Sequence, residues 1–92
     1  MAQLFLRRQA DVVWREIDGY GVLLKVNTGD YCELNEVGLF IWQQLEHQTA
    51  LDEIASRVAR EFDADDTPVS ADVLEFARDL AGRGMLVIAE RQ

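Results

Sequence analysis

Two hydrophobic rhythms divide the chain near residue 35. Before it, short apolar and β-branched runs alternate with turn residues. "DVVWREID" carries Val12, Val13, Trp14 and Ile17 into Asp18-Gly19, a strong hairpin signal. "GVLLKVN" follows from Gly21 to Asn27, then "NTGD" offers Gly29 for a positive φ, and "YCEL" makes a short third strand. Three strands on tight turns predict an antiparallel meander. The pattern does not decide whether Leu4–Leu6 pairs with anything.

After residue 35 the spacing becomes helical. Asn35 is a suitable N-cap for a first helix with Val37, Phe40, Ile41 and Leu45 on one face. Thr49 is placed to cap a second helix, with Asp52 three residues on. Leu51, Ile54, Ala55, Val58, Ala59 and Phe62 trace its buried stripe. "DADDTP" breaks that helix. Ser70 is the expected cap of a third, with Val73, Phe76, Ala77 and Leu80 inward and Gly82 and Gly84 closing it. "MLVI" is a last strand or an apolar segment packed under the helices. Segregated strands and helices predict an α+β fold, residues 1–92 forming one domain, with the meander dependent on helices to cover its apolar face.

Composition narrows the function. The 92 residues hold one core and leave little room for a deep cleft. One cysteine excludes an internal disulfide and a cysteine-based zinc site, and suits a reducing cytoplasm. No run is long enough to span a membrane, and "MAQLFLRRQADVVW" lacks the features of a secretory signal. Seventeen acids against nine Lys and Arg give a net charge of −8, which repels a phosphate backbone.

Candidate chemistry is sparse. Cys32 needs a base, and the only histidine, His47, lies at the far end of the first helix, on the order of 18 Å away at helical rise. Cys32 therefore reads as a small buried strand residue, and His47 as a surface residue favoured by the helix dipole. Asp63, Asp65 and Asp66 lack the loop and terminal glutamate of a calcium site. The paired glycines Gly19/Gly21 and Gly82/Gly84 sit in turns and form no phosphate loop. Trp14, Trp42, Phe40 and Tyr31 read as core and boundary residues. No cofactor is implied.

The stretch "LLKVNTGDYCELNEVGLFIWQQL", then "DEIASRVAREF" and "SADVLEFARDLAGRGML", resembles the PqqD-like family of precursor-peptide recognition elements in ribosomal natural-product biosynthesis. The likeness rests on the Tyr31…Leu34-Asn35 joint, on Gly38 and Trp42, on Ile54 and Phe62, and on Asp72-Val73…Phe76…Leu80…Gly84, spanning residues 20 to 87. It is closer to the stand-alone members, including lasso-peptide recognition proteins, than to the quinone-pathway members proper. The resemblance implies a winged-helix-like domain of three strands and three helices, without catalysis of its own. It also implies that the leader segment of a precursor peptide binds as an added strand along the third strand, in a groove against the third helix. The partner would be a radical SAM enzyme, as for pyrroloquinoline quinone, or a leader protease, as for lasso peptides.

Physical chemistry gives the same place a mechanism. "YCEL" ends the meander, so one edge presents unpaired N–H and C=O groups to which a peptide can add. The expected site is Thr28, Asp30, Tyr31, Cys32, Glu33 and Leu34 on the strand side. On the third helix it comprises Val73, Leu74, Ala77, Arg78 and Ala81. Which strand side chains face the groove is left open, because parity is not fixed by sequence. Two alternatives stand beside this reading. A winged-helix nucleic-acid binder needs a basic recognition helix, and "SADVLEFARDLAGRG" is acidic. A self-associating adaptor would pair the same edge with a second copy; a monomer or weak dimer is expected.

Overall fold

The computed structural model describes residues 3–63 and 66–91. Strands β1 (Gln3–Arg8), β2 (Val12–Ile17), β3 (Tyr20–Lys25) and β4 (Tyr31–Leu34) come first. Helix α1 (Glu36–Gln43), a 3-10 turn (Gln44–Glu46), β5 (Thr49–Ala50), α2 (Leu51–Glu61), α3 (Asp66–Gly82) and β6 (Leu86–Arg91) follow. The meander forms as the alternation predicts, in the order β2-β3-β4. Its hairpin turn is Asp18-Gly19, both at positive φ (52° and 84°), the geometry whose twist matches the flanking strands.

The N-terminal segment does pair, and not with the meander. Gln3–Arg8 lies antiparallel to β6 along its whole length, from Gln3↔Arg91 to Arg8↔Leu86, and β5 adds to its other edge. The result is a second three-stranded sheet, β5-β1-β6, and "LVIAER" is the strand of it that closes the chain. This second sheet is the main addition to the α+β arrangement expected. It puts β1 and β6 in a sheet separate from the one that contains β4.

Helix details depart from the sequence pattern in three places. The N-cap of α2 is Ala50, without a side-chain hydrogen bond; Thr49 Oγ1 instead donates to the carbonyls of His47 (2.8 Å) and Gln44 (3.3 Å). Pairing with β1 holds Thr49 in a strand, and that removes it from the capping position. Helix α3 begins at Asp66, so Ser70 is an interior residue and not its cap. Pro68 falls in the first turn, where a missing N–H breaks no intrahelical bond. The interhelical break falls partly outside the described residues, at 64 and 65, so Asp65 has no structural account. Third, α1 buries Gly38, Leu39, Ile41 and Trp42, whereas Val37 is exposed and Phe40 half-buried. The helix is turned so that Gly38 meets Phe76; a Cβ at residue 38 would lie 3.0 Å from the Phe76 ring.

One core lies between the layers, with Trp42, Leu6, Leu23, Leu45, Ile54, Leu80, Met85, Leu86 and Val73 fully enclosed. Arg8 ties β1 to both tryptophans. Its guanidinium sits 5.0 Å from the Trp42 ring and 5.2 Å from that of Trp14, and Nη2 donates to the Trp42 carbonyl at 2.7 Å. Lys25 joins the meander to the end of α3, with Nζ at 2.9 Å from Asp11 Oδ2 and donating to the Gly84 carbonyl at 3.0 Å.

Trp42→Ala should cost about 3–5 kcal/mol in urea unfolding, whereas Val37→Ala should stay within about 0.5 kcal/mol. The Lys25 hydrogen bond, more than its charge, holds the Asp11 carboxyl below its ordinary pKa. A depressed carboxylate stabilises the fold above its unfolded pKa and loses that contribution as pH falls through its folded pKa. Lys25→Met should therefore lower stability at neutral pH and flatten the decline between about pH 5 and pH 2, read by denaturant midpoints across that range.

Candidate functional site

The site is built on β4, which among the described residues has one strand neighbour, β3. Register pairs Gly21↔Leu34, Val22↔Glu33, Leu23↔Cys32 and Leu24↔Tyr31. The Lys25 amide donates to the Asp30 carbonyl at 2.8 Å, and the Val26 amide to the Asp11 carbonyl. In an antiparallel ladder, opposed pairs alternate between bonded and non-bonded. Starting from Lys25/Asp30, the pairs Leu23/Cys32 and Gly21/Leu34 are bonded, so Tyr31 and Glu33 turn their N–H and C=O away from β3. Those are the groups that the edge offers.

Side-chain parity follows from the same register. Cys32 (8% exposed) and Leu34 (4%) face the core, and Tyr31 (67%) faces outward, with Glu33 beside it. Asn35 then stops the strand: its Oδ1 accepts from the Gly38 amide at 2.8 Å, starting α1 immediately. The stretch opening at Tyr31 is a hinge between strand and helix with one edge free.

Beside that edge runs an open groove of about 470 Å³ between β4 and α3. Its strand wall is Tyr31–Asn35 and its helical wall is Phe76, Asp79, Leu80 and Arg83. A smaller apolar recess of about 290 Å³ lies among α1, α2 and α3, and Phe76 and Asn35 border both spaces. Gly38 gives Phe76 room in the wall between them, because a Cβ there would press on its ring at 3.0 Å.

Of the residues expected on the strand side, Tyr31, Cys32, Glu33 and Leu34 line the groove. Thr28 and Asp30 lie in the β3–β4 turn, bonded to each other (Thr28 Oγ1 to Asp30 Oδ2, 2.8 Å), and do not line it. On α3 the expected residues are not on the groove wall. Val73 (1%) and Ala77 (0%) are wholly in the core. Leu74 and Ala81 are half-buried against that core, and Arg78 is exposed on the same flank as they are. The inward stripe of α3 has two flanks, and the groove uses the one bearing Asp72, Phe76, Asp79 and Arg83. Sequence reasoning missed Phe76, Asp79 and Arg83; the aromatic at the margin of the stripe was the available signal.

Burial pushes the Cys32 thiol up, with nearby Arg83 opposing. Its Sγ lies 3.7 Å from the Glu33 carbonyl, a weak contact. Such a thiol is a packing residue and no nucleophile. Among the described residues, no group of three or more His, Cys, Asp or Glu is placed to hold a metal, and no helix is long and apolar enough to cross a membrane.

Comparison with known proteins points to one family. Residues 20–86 match the family model described as Coenzyme PQQ synthesis protein D (PqqD). The PqqA binding protein of Xanthomonas oryzae pv. oryzae (strain PXO99A) is 37% identical over 54 residues, 59% of this chain and 59% of that relative. The chain thus matches less than two thirds of the relative's length. TbiB1, solved in complex with the TbiA(beta) leader peptide, is 35% identical and superposes with a TM-score of 0.81 over 87% of this chain and 93% of its own. A lasso peptide synthetase B1, complexed with its leader peptide, shares the fold at 24% identity and a TM-score of 0.77, covering 89% of this chain and 96% of its own.

Cys32 should react with DTNB in the native protein only as fast as the fold opens. It should stay slow past about pH 8.5, where a free thiol ionises. A fast, pH-following native reaction would show the thiol to be exposed.

Proposed function

The chain belongs to the PqqD family, and from that premise we propose that it binds the leader region of a ribosomally made precursor peptide. The peptide adds as a strand to β4 and lies in the groove against α3. The chain does no chemistry on this peptide; it holds the leader for a separate modifying enzyme or leader protease. The observation that carries the reading is the open β4 edge, with the N–H and C=O of Tyr31 and Glu33 turned from β3 and a groove alongside. Each main-chain hydrogen bond made there contributes a net of about 1 kcal/mol, and side-chain pockets add selectivity. The leader peptides bound to TbiB1 and to a lasso peptide synthetase B1 support the same reading. Phe76, Leu80 and Leu34 give the groove an apolar floor, and Tyr31 and Glu33 give the strand partner.

Glu33→Pro tests this directly. Proline removes an amide that faces the open edge, while the bonded pairs at Cys32 and Leu34 keep the ladder to β3. Peptides selected on the wild-type protein from a random twelve-residue display library should lose about tenfold or more in affinity for the variant by calorimetry, roughly the loss of one or two hydrogen bonds. The thermal melt should change little. Undiminished binding to a folded Glu33→Pro protein would rule out strand addition at β4.

A further inference from the structure

We propose that the peptide this groove accepts is cationic on its helix-facing side, with Lys or Arg at alternate positions flanking an apolar residue. The proposal rests on the strand-addition reading above and specifies its substrate. Asp79 stands on the helical wall of the groove, and Asp72 and Glu75 line an adjoining open recess that shares Phe76 and Asp79 with it. Glu33 borders the groove from the strand edge, with its side chain on the outer face beside Tyr31. One cation lines the groove, Arg83, and it is already engaged: Nε donates to Asp79 Oδ1 at 3.2 Å. The other ion pairs among the described residues are Lys25–Asp11 and Arg57–Glu53, which leaves Glu33, Asp72 and Glu75 without a cationic partner.

Asp79 has an ion-pair partner in Arg83, but no ion pair among the described residues engages Asp72 or Glu75. Asp72 and Glu75 are three apart and Glu75 and Asp79 four apart, spacings at which like charges repel along a helix. None lies in the first turn of α3, where the helix dipole favours a carboxylate. Asp79 stands near the opposite end, whose last turn holds no basic residue. Acids along the helical side, with Glu33 at the strand edge, give the groove and its surroundings a negative potential, and the net charge of −8 adds to it. A guest cation relieves this repulsion where it docks.

The spacing also fits. Residues 72 and 79 are about 10.5 Å apart along the helix at 1.5 Å per residue. Same-side residues of a strand recur every 6.6–6.8 Å or so. Two cationic side chains at i and i+2 or i+4 of the guest, with the reach of Lys or Arg, span the acidic row. The next same-side residue, between the cations of an i/i+4 pair or beside those of an i/i+2 pair, meets Phe76 and Leu80. A neutral or acidic guest leaves the row uncompensated.

The test selects twelve-residue peptides from one random display library on wild-type protein, on D72K/E75K and on D72N/E75Q. All are first checked for native circular dichroism and melting. Wild type should enrich Lys and Arg at alternate positions, D72N/E75Q should lose that enrichment, and D72K/E75K should enrich Asp and Glu. A lysine-bearing peptide chosen on wild type should bind D72K/E75K about tenfold more weakly at low salt, and the gap should close in 1 M NaCl. D72N/E75Q keeps side-chain shape, so the shift is readable even if the double lysine variant does not fold. If the proteins select the same uncharged peptides, and these still lose binding to Glu33→Pro, the cationic guest is refuted and strand addition stands. If no selected peptide is sensitive to Glu33→Pro, both are refuted.

Discussion

Everything at the site depends on α3 being held at a fixed distance from the meander, and Lys25 holds its end. The ammonium leaves the last residue of β3, meets Asp11 just before β2 and donates to the Gly84 carbonyl just past α3. These half-buried groups join three segments far apart in sequence through charge-assisted hydrogen bonds, among the stronger ones available. Gly84 has φ +78, and a Cβ there would meet the Lys25 side chain at 3.0 Å, so the turn after the helix admits little else. The backbone amides that follow, Met85 to the Leu80 carbonyl and Gln9 to the Met85 carbonyl, pass the connection on to β1.

A second consequence comes from the division into two sheets. Because β1 and β6 satisfy each other and β5 takes the remaining side of β1, no spare strand among the described residues seals β4. The apolar side of β4 is covered nonetheless, with Cys32 and Leu34 in the core below α1 and α3. An edge that is open in its hydrogen bonds and closed in its side chains is unusual, since exposed edges invite uncontrolled pairing. Charge helps to manage it here. Glu33 on the strand and the acids of α3 disfavour pairing with a second copy that carries the same charges.

Most of this was legible in the chain. The meander, its Asp18-Gly19 turn, the Asn35 cap and the amphipathic α2 follow from local rules, because each depends on residues within a few positions of one another. The β1–β6 ladder was not legible: it joins residues more than 75 positions apart, and no local period records it. The free edge at residues 31–34 was readable from strand order. Its parity needed register, which came from the Lys25–Asp30 and Val26–Asp11 bonds. The groove flank of α3 was misjudged because Leu74–Arg78–Ala81 and Phe76–Asp79–Arg83 bracket the same inward stripe, and only tertiary placement chooses between them.

The outer face of the meander extends the argument. Val13, Leu24 and Tyr31 form a row across β2, β3 and β4, with Ile17 and Tyr20 beyond it, all substantially exposed. In the proposed complex, alternation would send every second residue of the added strand into the groove and the rest onto this outer face, level with Tyr31 and Glu33. A domain binding in the proposed way would interrogate half of the letters in its guest and leave the other half on display. A second protein arriving on that side could then read the bound sequence without prising it loose.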